Sequence, residues 1–236
     1  MNQKLPFTDD DLQKLTGWDT PTICNGLELV CPERRAIGFT TRPLVCLYES
    51  MAPIIGFACT ARVRSHSPGV ESAEIAKQRR LDYYQYIAES ARPGIVVIED
   101  LDDTPGIGAF WGEVQTNVHK GLGLVGGITN GSIRDLPDAA PEFQLLAGSV
   151  GPSHAHVHLV DFDTDVTVHN MSVTAGEIIH ADRHGAVVVP HEAVAALPAA
   201  IELIARREAK IIGAARADGF NFEKLKAAIG EASDIH

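Results

Sequence analysis

Glu113, Arg134, Asp135 and Asp138 are the residues whose types and spacing could do chemistry. They fall in the stretch WGEVQTNVHKGLGLVGGITNGSIRDLPD, Trp111 to Asp138, where glycine-rich backbone separates one carboxylate from a guanidinium followed by two more. Carboxylates suit hard divalent cations such as Mg²⁺ or Mn²⁺, and Mg²⁺ uses only one or two of them, keeping waters for its other positions. Arginine's planar fork pairs both oxygens of a carboxylate, whereas lysine offers a point charge. Together the four could hold a cation and an anionic substrate, the requirement for metal-assisted chemistry on a keto acid.

Such a site needs elements to position it. Ala109-Phe110-Trp111 leads into Gly112-Glu113, and a helix over 113–120 places Glu113 in its first turn. The unpaired N–H groups of Val114 and Gln115 then face the site, as helix starts do toward anions. Leu122 to Thr129 reads as a buried strand in which Gly123, Gly126 and Gly127 permit close backbone approach. Asn130-Gly131 predicts a sharp turn presenting Ser132-Ile133-Arg134-Asp135, and Pro137 restricts the exit. On these residues alone, an ordinary strand-turn-helix junction with Arg134 and Asp138 as a surface ion pair would read the same way.

Glu113, twenty further residues, Arg134-Asp135 and then Asp138 three positions on resemble the acidic-X20-Arg-Asp-X2-acidic signature of the RraA-like class II pyruvate aldolases. The setting resembles the family too: Gly112-Glu113, the run LGLVGGITNG before Arg134, and GEIIHADRHGAVVVP ending at Pro190. The similarity runs from about Thr20 to Pro190. That family includes 4-hydroxy-4-methyl-2-oxoglutarate aldolases, which also decarboxylate oxaloacetate, and regulators of ribonuclease E activity. The resemblance implies a swivelling β/β/α sandwich, assembled as a homotrimer or a hexamer with active sites between subunits. It also implies that Glu113, Arg134, Asp135 and Asp138 are catalytic and that Arg134, Gly112, Val114 and Gln115 bind a 2-keto acid. Asp135 would ligate Mg²⁺ or Mn²⁺ directly, with Glu113 and Asp138 acting through water. No lysine is placed for a Schiff base, because none sits in an apolar run. Asn25-Gly26 stands where the family has Asp-Ala, so no role is expected there.

Two other functions compete. The first is a non-catalytic regulator that binds a partner such as a ribonuclease; such regulators are expected to lack an acidic or metal-holding position, and this chain keeps all four. The second is a zinc-dependent hydrolase built on His154, His156 and His158, which would share one face of a strand and offer nitrogen ligands. His119 and Lys120 are candidates for contacting the distal carboxylate of a dicarboxylic substrate, and Glu28 for reaching a neighbouring subunit's site. Glu99, Asp100, Asp102 and Asp103 read as a solvated acidic loop, since carboxylates so close repel without a cation.

Elsewhere the reading is of an α/β fold in one domain of 236 residues, 45% of them hydrophobic. Thr8 with Asp11 starts a helix running to about Leu15, Thr20-Pro21 starts another to about 31, and Ile23, Leu27 and Val30 share its face. Strands are expected over 43–47, 56–63 and 95–98. Ile75, Tyr83 and Ile87 predict a helix over 72–91. Asp165 to His169 and Met171 to Val173 read as short strands, 176–190 as a hairpin with a structural Asp182, and 191–230 as helices. Thirty-one acidic against twenty basic residues give a net charge of -11, which disfavours nucleic acid. With no long apolar segment and no basic leader, a cytoplasmic protein is expected, its Cys24, Cys31, Cys46 and Cys59 reduced and mostly buried.

Overall fold

The structure, a computed structural model, describes residues 5–236; Met1 to Lys4 of the N-terminus read above lie outside the described residues. Helix α1 (Asp9–Lys14) begins with the capping box expected of Thr8 and Asp11, each side chain accepting the other's backbone N–H. Asp19 caps α2 (Thr20–Val30) through the Thr22 N–H, with Pro21 in the first turn, where its missing N–H costs nothing. Strand β1 is only Val45–Cys46, shorter than the 43–47 expected, while β2 runs further than expected, over Ile54–Arg64. Helix α3 (Ala73–Glu89), capped by Ser72, buries Tyr83 and Ile87 but leaves Ile75 at 52% exposure.

Strand β3 (Gly94–Asp100), β4 (Ala109–Trp111), α4 (Glu113–Gly121), β5 (Leu124–Ile133) and β6 (Gln144–Val150) build the middle of the molecule. After them come β7 (His158–Phe162), the small β8 (Val166–Val168) and β9 (Met171–Val173) pair, and the hairpin β10 (Ile178–Asp182) with β11 (Gly185–Val189). Helices α5 (Leu197–Arg216) and α6 (Phe222–Ser233) close the chain. The principal sheet runs β1-β6-β5-β3-β2-β10-β11, with β4 added to β5 and β7 added to β2. Strands β2, β3, β5, β4 and β6 pair in parallel, and the hairpin and β1 flank them antiparallel.

Side-chain alternation explains why the central strands read as unbroken apolar runs. In β3, Ile95 and Val97 enter a core with Ile128, Leu146 and the β8–β9 residues Val166, Val168, Met171 and Val173. Val96 and Ile98 point the other way, to Tyr83, Ile87, Trp111, Phe143 and Leu145. A third core joins Leu12, Leu15, Ile23 and Leu27 of the N-terminal helices to Leu197 and Ile201 of α5, against Ile55, Phe57 and Val187. Gly26 sits in that helix crossing, where a Cβ would stand 2.8 Å from Leu197 Cδ2.

Two expectations are corrected here. Asn130-Gly131 is not a turn: β5 continues through it to Ile133. The Asn130 side chain replaces peptide groups in the ladder, Oδ1 accepting the Asp100 N–H at 2.7 Å and Nδ2 donating to the Asp100 carbonyl at 3.0 Å. Beside it the β5–β6 register shifts between Thr129 and Ser132, as at a β-bulge. The acidic loop is not solvated throughout either. Asp102 is buried and accepts the N–H groups of Ser65 and His66 at 2.7 and 2.8 Å, and buried Asp100 accepts those of Asp102 and Gly106. Glu99 accepts from the Thr167 N–H, so these acids fasten neighbouring backbone.

Asp182 joins the N-terminal helices to the hairpin. Its buried carboxylate accepts the Thr20 N–H at 2.9 Å and the His184 N–H at 2.8 Å. Asp182→Ala leaves both donors without that acceptor, at an expected cost of about 1–3 kcal/mol. Urea denaturation checks this, and a wild-type midpoint would remove the structural role.

Candidate active site

Parallel pairing of β4 with β5 assembles the site. Trp111 is opposite Ile133, so the next residues of the two strands, Gly112-Glu113 and Arg134-Asp135, leave the sheet side by side at its carboxyl edge. Ligands in α/β sheets gather at this end of parallel strands. The Arg134 N–H donates to the Trp111 carbonyl at 3.0 Å, fixing the arginine backbone to the strand that delivers Glu113. Helix α4 and β5 take up the intervening residues, which is what a fixed spacing between the acidic residue and the Arg-Asp pair records.

Asp135 then turns the chain in the left-handed region, at φ 54° and ψ 42°, a conformation aspartate tolerates better than most residues but which still stores strain of about 1 kcal/mol or more. The turn brings its Oδ2 to 3.6 Å from Arg134 Nε and within 3.4 Å of the Glu113 N–H, which donates to it. Gly112 is required at this junction, since a Cβ there would lie 2.6 Å from Asp135 Oδ2 and 3.2 Å from Arg134 Cγ. Among the described residues, Asp135 Oδ1 and the terminal nitrogens of Arg134 have no protein hydrogen-bond partner. The N–H groups of Val114 and Gln115, at the uncapped start of α4, likewise have no protein acceptor.

All of these groups border one cleft of about 580 Å³, lined on this side by Gly112, Glu113, Val114, Gln115, Arg134 and Asp135. A face of α3, Ala73, Ala76, Lys77 and Arg80, lines it as well, together with His154, Val157, His158 and Leu159. A larger hollow of about 770 Å³ adjoins it across Gly69, Glu71 and His158, but contains none of the four signature residues. Beneath the site lies an aromatic floor. Trp111 is fully buried with its ring 4.7 Å from that of His119 and 5.6 Å from that of Phe143, and Gly127 makes room for it.

Other sequence candidates fall elsewhere. Asp138 is exposed one turn beyond Asp135, whose carbonyl accepts its N–H at 3.0 Å, and it does not line the cleft. His119 cannot contact a substrate carboxylate: it is fully buried, Nδ1 donating to the Gln115 carbonyl at 2.6 Å and Nε2 accepting from the Tyr83 hydroxyl at 2.9 Å. Lys120 turns to the Pro141 carbonyl and lies 3.5 Å from Glu142. The histidine strand is also corrected. His154 to His156 lie in a turn with Ala155 at φ 45°, only His158 is in β7, and His156 does not reach the cleft. The alternation needed for a three-imidazole face is therefore broken. Among the described residues no group of three or more His, Cys, Asp or Glu side chains is arranged to hold a metal ion. Glu28 pairs with Arg35 at 2.9 Å on the surface, and all four cysteines are free thiols.

Sequence reasoning missed Lys77 and Arg80. Their spacing with Ala73 and Ala76, at i, i+3, i+4 and i+7, places all four on one helical face. That periodicity was readable; what the face looks onto was not.

The model of the RraA-like family, Aldolase/RraA, matches residues 20–188. The chain belongs to the RraA-like family. Solved structures share its fold. An uncharacterized protein from Pseudomonas syringae pv. tomato is 17% identical, over 96% of this chain and 97% of its own, with a TM-score of 0.70. Streptomyces coelicolor RraAS2, described as an unusual member of the RNase ES inhibitor RraA protein family, is 18% identical over 87% and 95%, with a TM-score of 0.63. A protein described among novel cellulases from microbes associated with the gut ecosystem is 21% identical over 89% and 91%, with a TM-score of 0.71. No curated protein matches the chain. The RraA-like family covers aldolases and decarboxylases as well as inhibitors of RNA processing. No helix among the described residues is long and apolar enough to cross a membrane.

Burial holds the His119 pKa down to about 4, against the raising effect of its bond to the Gln115 carbonyl. The unfolded chain takes up this proton near the ordinary value of 6.5, the folded protein only near 4. Stability from this group is therefore full above about pH 6.5 and declines as pH falls between the two values, by up to about 3 kcal/mol. An NMR titration should find the His119 ring neutral at pH 5.5; a midpoint near 6.5 would contradict this.

Proposed function

We propose that this RraA-like chain is a divalent-metal-dependent lyase. It cleaves a 4-hydroxy-2-oxo acid resembling 4-hydroxy-4-methyl-2-oxoglutarate to pyruvate and a carbonyl product, and decarboxylates oxaloacetate by the same movement of charge. The observation that carries this reading is the meeting, in one cleft, of the Asp135 carboxylate, the open fork of Arg134 and the free amides at the start of α4.

The donor set fits Mg²⁺ or Mn²⁺. Asp135 offers an oxygen with no protein partner toward the cleft, and a hard cation needs only one or two carboxylates when substrate oxygens and water complete its shell. Asp135 would hold the ion directly. Glu113, on the cleft wall, and Asp138, in the next turn, would reach it only through water. Once bound, the cation would act as a Lewis acid toward the keto oxygen of the substrate.

The protein's own groups set the rest. Arg134 pairs the substrate carboxylate bidentately, and the N–H groups of Val114 and Gln115 add donors to the same end. This orients the keto oxygen toward Asp135. As the C3–C4 bond breaks, its electrons pass through C3 to the keto oxygen, and the C4 hydroxyl must release a proton. In this reading Glu113 receives that proton through a water molecule, leaving a carbonyl at C4, and C3 then takes up a proton from water to give pyruvate. In oxaloacetate the same electron flow follows loss of CO₂ and needs no base. RraA-family proteins are oligomeric, and the reading includes a trimer or a dimer of trimers in which a neighbouring subunit covers the cleft. A regulator of RNA processing is the second reading, because the family includes RNA-processing inhibitors.

Pyruvate release from oxaloacetate and from 4-hydroxy-4-methyl-2-oxoglutarate, with Mg²⁺ and with chelator, tests the proposal: metal-dependent release is expected, and inertness toward both acids would favour the regulator. Arg134→Ala should lower kcat/KM by about a hundredfold or more through loss of a charged bidentate contact. A near wild-type rate would exclude that contact. Asp135→Ala should remove activity together with the response to Mg²⁺; Mg²⁺ activation retained by this variant would place the ligand elsewhere.

A further inference from the structure

We propose that Lys77 and Arg80 form a second anion-binding wall in this cleft, which selects 2-keto acids carrying another carboxylate at the far end. This rests on the reading of the cleft as a keto-acid site anchored by Arg134. Both side chains project from the face of α3 that lines the cleft, and the alanines at 73 and 76 keep the rest of that face low. Among the described residues, neither cation has a carboxylate within ion-pairing distance, although acids outnumber bases in the chain by thirty-one to twenty. Their neighbour Arg79 is the contrast, tied to Glu71 and to the Leu159 carbonyl. Glu71, an acid of the same cleft wall, is thereby already engaged.

Size and elimination point the same way. A cleft of about 580 Å³ is several times what pyruvate fills, so a longer substrate is accommodated beyond the Arg134 end. His119 and Lys120, the other bases close in sequence to the site, are buried or turned away. The chemistry also decides which substrates gain. When a 4-hydroxy-2-oxo acid with a carboxylate on C4 is split, the C3–C4 electrons go to the keto end and the hydroxyl proton leaves. The far carboxylate stays on the released carbonyl product throughout. In oxaloacetate the distal carboxylate is itself lost as CO₂, and cations gripping it would stabilise the ground state. The wall therefore favours aldol substrates over decarboxylation.

Calorimetric binding of 2-oxoglutarate and 2-oxopentanoate to the full chain with Mg²⁺ tests this, because the two acids match in length and differ by one carboxylate. Wild-type protein should bind 2-oxoglutarate at least about tenfold more tightly, and K77M/R80M, which keeps the apolar stems, should bring the ratio close to one. K77R/R80K should preserve the preference. Equal affinities in the wild type, or a preference that survives K77M/R80M, would overturn the assignment. So would a change in oligomeric mass of that variant with the preference intact, which would pair these cations with a second copy of the chain. Failure of the underlying reading looks different: the wild type would bind neither acid, or Arg134→Ala would leave the affinity for both unchanged.

Discussion

Hydrogen bonding between β4 and β5 is the constraint on which the site depends. Strand β4 has only three residues, yet its register against β5 makes the residues after Trp111 and Ile133 neighbours although a helix and a strand separate them in sequence. Everything at the site is local to that junction: the missing Cβ of Gly112, the left-handed Asp135 and the free amides at the head of α4. The aromatic floor of Trp111, His119 and Phe143 holds the pair of strands from below. His119 is thus a supporting group, bonded through both ring nitrogens and kept neutral by burial.

Electrostatics of the cleft run against those of the chain. A protein with a net charge of -11 would repel a dicarboxylate at long range. Within the cleft, Arg134, Lys77, Arg80 and a helix start offset Glu113 and Asp135, while Glu71 is paired with Arg79. Asp100 and Asp102, which read from the sequence as part of a solvated loop, accept instead from backbone amides of their own loop and of the β2 exit.

Much of this could be read from residues alone, where the signal was local. The Thr8–Asp11 box, the buried β3 run, the helix after Gly112 and the hairpin ending at Val189 are each specified by neighbours in sequence. The errors arose where a distant partner decides. Asn130-Gly131 has turn chemistry, but the Asn130 amide finds the Asp100 peptide groups across the sheet and stays in a strand. His154 to His158 alternate as a strand would, yet Ala155 turns and the His156 N–H bonds to the Ser65 carbonyl. Lys77 and Arg80 lie on a visible helical face, but only the docking of α3 through Tyr83 and Ile87 tells which way that face looks.

The bulge at Asn130 makes strand β5 a ruler for Arg134 and Asp135. Side chains alternate along a strand, so adding or deleting one residue there would rotate the arginine and aspartate to the wrong side of the sheet. Length changes inside β5 can be absorbed only in pairs, or by another bulge, whereas the connection between α4 and β5 carries no such parity. An odd offset confined to the strand would therefore require the strand to be rebuilt before the arginine and aspartate could face the cleft again.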